Sequence, residues 1–103
     1  MAERDLREAC ERLRRVLADT ERSGNLRQGL QQADRALLDV GIALAEVPPE
    51  APRLAAFTRL RTAVNRGRSC PTVTPLRIGR WVSRTRDALD AFEGIGCSRA
   101  SAG

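Results

Sequence analysis

Three arginines, Arg77, Arg80 and Arg84, recur at helical spacing around the one tryptophan of the chain, Trp81. At about 100° per residue they share an arc of about 60° on one helix face, and the indole borders that arc. Guanidinium groups grip phosphate oxygens in a planar fork, and a flat ring beside them gives a base something to stack on. Such a stripe suits recognition of an anion, nucleic acid foremost. Trp81 also falls on an apolar stripe, where an indole is ordinarily core, and both roles stay open. Arg59 and Arg66, on the outer face of the preceding predicted helix, and Arg68 in the loop between, extend the candidate site. Arg53 and Arg61 differ. Both fall within the arc of Leu54, Phe57, Leu60 and Val64, so each must snorkel, line a site or pair with an acid. Asp34, Asp39 and Glu46 on the second helix are the available partners, and pairing and a functional role both stay open.

Residues 51–86 hold nine arginines and no aspartate or glutamate, whereas residues 1–50 hold eight arginines and ten acids. The net charge of +5 therefore hides a concentrated cationic segment that attracts anions. Arginine without a single lysine is what a GC-rich genome produces. Codon bias does not clear acids from 36 consecutive residues.

Absences exclude much else. With no histidine there is no Ser-His-Asp or Cys-His pair and no imidazole ligand. With no lysine there is no Schiff base and no Walker lysine. The expectation is a protein that is not an enzyme and carries no metal and no cofactor. Cys10, Cys70 and Cys97 are odd in number, widely spaced and without a CxxC pair. That argues against a disulfide framework or zinc site and for a reducing, cytoplasmic setting. Cys10 lies on an apolar stripe and reads as core. Cys70, close to Arg66 and Arg68, reads either as a reactive thiol or as an incidental loop cysteine. Gly94 and Gly96 follow a helix and not a strand, so they read as a helix stop instead of a dinucleotide fingerprint.

Four helices position these groups. The first is expected over residues 2–21, with Leu6, Cys10, Leu13, Val16, Leu17 and Thr20 on one stripe and i,i+4 acid–arginine pairs elsewhere. Ser23-Gly24-Asn25 ends it, with Asn25 and Gln28 placed as a capping box. The second, over 26–46, carries Leu26, Leu30, Ala33, Leu37, Val40, Leu44 and Val47 in a 4-3 heptad rhythm. Leu38, Ile42 and Ala43 widen that stripe and predict burial on more than one side. Gly29 and Gly41 inside it predict close approach of a neighbouring backbone. The third, over 52–66, starts at Pro52 and faces Leu54, Phe57, Leu60 and Val64 inward, with Gly67 as its cap. A loop over 67–74 leads to the fourth, over 75–93. It is capped by Thr74, faced by Ile78, Trp81, Val82, Thr85, Ala88, Leu89 and Phe92, and stopped at Gly94 with Ile95 folded back on Leu89. The eight-residue loop is too long for a helix-turn-helix unless it contains a further turn.

The fold expected is all-α: a single-domain four-helix antiparallel bundle, up-down-up-down, over residues 1–97, with a tail over 98–103 and a polarised basic face. A homodimer built on the first two helices is the structural alternative. No apolar run reaches the ~20 residues of a membrane span, and the charged first 15 residues lack the centre of a signal peptide, so no membrane is expected. The function expected is a small interaction protein whose third helix, loop and fourth helix bind nucleic acid. The alternative is an adaptor or inhibitor docking the same arginines on an acidic protein. Catalysis or redox chemistry at Cys70 is the remaining reading.

Overall fold

The computed structural model describes residues 2–48, 50–69 and 73–102, with side chains described between 3 and 94 within those limits. Among these residues the fold is all-α, with no strand: α1 (Ala2–Ser23), α2 (Leu26–Ala45), α3 (Ala51–Arg66) and α4 (Pro75–Ala102), plus a 3-10 turn at Gly67–Ser69.

Local chemistry sets the breaks. Gly24 takes φ 72°, a left-handed conformation open to a residue without Cβ, and its N–H closes α1 on the Thr20 carbonyl at 2.9 Å. Asn25 then caps α2: its Oδ1 accepts from the Gln28 N–H at 3.1 Å, and its Nδ2 donates to Gln28 Oε1 at 3.3 Å. At the start of α4, Thr74 Oγ1 accepts from the Arg77 N–H at 3.2 Å, and Pro75 fills the first position, where a missing N–H costs nothing.

The far end of α4 departs from expectation. The helix runs through Gly94 to Ala102 instead of stopping after Glu93, so the folded-back end at Gly94 does not form. Gly94 is not in the left-handed region. No proline follows it, and a glycine inside a helix costs only about 1 kcal/mol relative to alanine.

One core joins the four helices. Leu13, Leu17, Val40, Leu60, Val64, Val82 and Leu89 are wholly enclosed, each fully buried side chain contributing roughly 1.5–3 kcal/mol of transfer free energy. The stripes of α1 and α4 and the heptad seam of α2 are buried as expected, except that Val16, Ala88 and Leu30 are only partly covered. Leu38 and Ile42 are corrections: they are 64% and 57% exposed, because α2 is covered by α1 and only sparsely by α3. Leu54 is a third, exposed at 45% while Ala56 takes the inward place. The α3 seam is Arg53, Ala56, Leu60 and Val64, with Gly67 continuing it.

That rotation carries Arg53 inward. It is nearly enclosed, and its guanidinium donates to Glu3 on α1 at 3.0 Å, not to an acid of α2. The glycines of α2 make room for side chains and not, as expected, for a backbone. A Cβ on Gly29 would fall 2.6 Å from Thr20 Cγ2, and one on Gly41 would fall 3.3 Å from Phe57 Cζ.

Candidate functional site

Along α3 and α4 the two helices stay side by side. Trp81 on α4 sits at Val64 on α3, its indole N–H donating to the Val64 carbonyl at 3.1 Å. Eleven residues on, Phe92 meets Phe57 with ring centroids 6.2 Å apart. Contact held over about three turns of α4 and two of α3 argues against the near-perpendicular crossing of a helix-turn-helix, although the loop does contain the 3-10 turn that motif would need.

A groove of about 700 Å³ follows this helix pair. From α3 it is lined by Thr58, Arg59, Thr62, Ala63 and Arg66, and from α4 by Arg77, Arg80, Trp81, Arg84 and Asp87. Five of the six arginines singled out from sequence thus meet in one concavity. All five are exposed. None makes an ion pair among the described residues, whose ion pairs all lie elsewhere: Arg4–Glu8, Arg12–Asp39, Arg14–Asp90, Arg14–Glu93, Arg22–Asp19, Arg53–Glu3 and Arg68–Asp34. Helical geometry explains the convergence. Arg77, Arg80 and Arg84 recur on one flank of α4, and Arg59 and Arg66, seven residues apart, share the flank of α3 that faces it.

Two expected members take other places: one lies outside the groove and the other forms its floor. Arg68 turns away from the groove to pair with Asp34 on α2. Trp81 is only 4% exposed and its one polar hydrogen is spent on Val64, so its indole forms floor and core and offers no stacking face. Its position depends on Gly67, where a Cβ would lie 2.7 Å from both Trp81 Nε1 and Leu30 Cδ2. Arg61 is exposed outside the groove. Sequence reasoning missed Thr58, Thr62 and Asp87 as members. The i,i+3 and i,i+7 spacing of Asp87 from Arg84 and Arg80 was the available signal.

The Cys10 thiol contributes nothing to this site. Burial pushes the Cys10 thiol up to about 12, with the Glu93 carboxylate adding to the rise and Arg14 and Arg53 opposing it. It is a core residue, protonated at neutral pH. The reading of Cys70 lies outside the described residues, as does the side chain of Cys97. Among the described residues no group of three or more cysteines, aspartates or glutamates is placed to hold a metal ion, and no helix is long and apolar enough to cross a membrane.

Fold and groove together define a class, an all-α protein with a guanidinium-lined groove between two helices. No protein-family model, curated protein or solved structure matches the chain in comparison.

Proposed function

We propose that this protein is a small non-enzymatic nucleic-acid-binding module. In this reading the helices form an antiparallel up-down-up-down bundle with one polarised basic face, acting in the cytoplasm, and the α3–α4 groove tracks phosphates. The observation that carries it is the groove itself: Arg59, Arg66, Arg77, Arg80 and Arg84 line one concavity with no ion-pair partner among the described residues. Like charges held together destabilise a fold by mutual repulsion, and a polyanion in the groove relieves it. Each guanidinium offers phosphate a bidentate, charge-assisted fork. The topology is supported by contacts at matched heights: Thr20 against Gly29, Gly41 against Phe57, Gly67 against Trp81, and Arg14 against Asp90 and Glu93.

The arrangement favours contact with the backbone over contact with bases, because the groove exposes no aromatic face. Affinity then depends steeply on salt. Five phosphate contacts on a single strand give a slope of about −3.5 for log K against log salt, a loss of about a hundredfold between 50 and 200 mM. Fluorescence anisotropy with a labelled oligonucleotide measures this. The exposed double variant Arg77→Glu/Arg84→Glu should bind far more weakly and with a shallower slope, at unchanged helicity by circular dichroism. Absence of binding at ~50 mM salt sinks the reading. Binding indifferent to the charge reversal removes the groove from it. If an acidic protein from the source cell is held by the wild type and lost by the double variant while oligonucleotides never bind, the adaptor alternative replaces it.

A further inference from the structure

We infer that the strand accepted by this groove is RNA in preference to DNA, with Asp87, Thr58 and Thr62 accepting hydrogen bonds from its 2′-hydroxyls; the inference rests on the nucleic-acid reading above. The groove is not uniformly cationic. Arg66, Arg77 and Arg80 lie toward the end marked by Gly67 and Trp81, whereas Thr58 and Asp87 lie toward the end marked by Phe57 and Phe92. Arg59, Thr62 and Arg84 fall between.

The polar groups that are not arginine are acceptors. Thr58 Oγ1 donates its hydrogen to the Leu54 carbonyl at 3.1 Å, and Thr62 Oγ1 donates to the Thr58 carbonyl at 2.9 Å. A hydroxyl has a single hydrogen, so both oxygens are left able only to accept. The Asp87 carboxylate is acceptor-only by nature and makes no ion pair or hydrogen bond among the described residues. A backbone phosphodiester satisfies none of these, since it carries no hydrogen at neutral pH and is repelled by Asp87.

A ligand complementary to the whole groove therefore brings both anionic groups and O–H donors. The RNA backbone does so at every nucleotide, through its phosphate and its 2′-hydroxyl, and the DNA backbone lacks the donor. Base N–H groups are a poorer match, because the indole that would hold a base in place is buried.

The test compares labelled oligouridylate and oligodeoxyuridylate of about 12 nucleotides at ~50 mM salt, which share a base and differ in the 2′-hydroxyl. A 2′-O-methyl oligouridylate, which keeps an RNA-like sugar but loses the donor, is the third probe. Wild-type protein should bind the RNA about tenfold more tightly than either other probe, the size of one hydrogen bond to a charged acceptor. Asp87→Ala, an exposed change, should bring the three affinities together while tightening all of them, since a repelling charge has gone. Thr58→Val/Thr62→Val should narrow the ratio without that general tightening. Equal binding of all probes by the wild type overturns the RNA inference and leaves the nucleic-acid reading standing. An RNA preference that survives both variants overturns the assignment of the acceptors to Asp87, Thr58 and Thr62. Failure of every probe to bind overturns both.

Discussion

Trp81 and Arg68 show how far a side chain's role depends on what it faces. Each stands beside the arginine stripe in sequence, yet the indole turns inward to donate to Val64 and the guanidinium turns outward to Asp34. The reasons are ordinary. A large apolar ring gains most from burial once its N–H has an acceptor, and a guanidinium next to a carboxylate gains a charge-assisted bond. Thr85 is the opposite case. It is fully buried at the centre of the α4 face, and its hydroxyl has no partner among the described residues. Thr85→Val keeps the shape and removes the unsatisfied group, so stability should rise by about 1 kcal/mol. Urea unfolding followed by Trp81 fluorescence reads the change, and a lower midpoint in the variant would show that the hydroxyl is satisfied after all.

Elements are placed by small residues as much as by large ones. Thr20 packs into the gap over Gly29, with its hydroxyl satisfied by the Val16 carbonyl at 2.7 Å, and this contact sets how closely α1 approaches α2. Alanine favours an isolated helix over glycine by about 1 kcal/mol. At Gly29 the added carbon meets Thr20 at less than contact distance, and overpacking of that kind costs about 1–3 kcal/mol. Gly29→Ala should therefore destabilise the protein on balance, and Gly29→Ala/Thr20→Ala, which removes both the hydroxyl and the methyl that the new carbon meets, should recover part of the loss. Thermal unfolding of the four proteins in the cycle decides it. A more stable Gly29→Ala would mean that the two helices can move apart at little cost.

Across the whole molecule a few long-range pairs tie the α1–α2 pair to the α3–α4 pair. Arg14 reaches both Asp90 and Glu93 at 2.6 Å, and Arg53 reaches Glu3. The second is the more consequential, because the Arg53 side chain is only 10% exposed. Its loss of a partner leaves a nearly buried charge unpaired. Glu3→Ala should cost about 1–2 kcal/mol, and Arg53→Met in that background should restore part of it by replacing the stranded charge with an apolar chain of similar length. Chemical denaturation of the single and double variants gives the coupling. Additive effects would show that the pair does not help to dock the two halves. Arg12–Asp39 and Arg4–Glu8 are well exposed and should matter little.

The sequence by itself determined the helices, their caps at Asn25 and Thr74, the buried stripes of α1 and α4, and the arginines that could share a site. These follow from local rules: a period of 3.6 residues, a side chain that competes for the first free N–H groups, a proline that cannot donate. Tertiary structure decided which arginines remain unpaired. Whether Arg53 meets Glu3, Arg68 meets Asp34, or Arg59 meets no acid depends on the rotation of each helix about its axis. A wheel fixes that rotation only to within the width of its apolar arc. The α3 arc was read from Leu54, yet packing turned it toward Arg53 and Ala56. The same turn left Leu54 in solvent and set Arg59 and Arg66 facing the α4 stripe. Thr58 and Thr62 joined the groove by that same choice, opposite Asp87 on α4. No residue reports the axial rotation of its own helix, because that rotation is set by the neighbours it packs against.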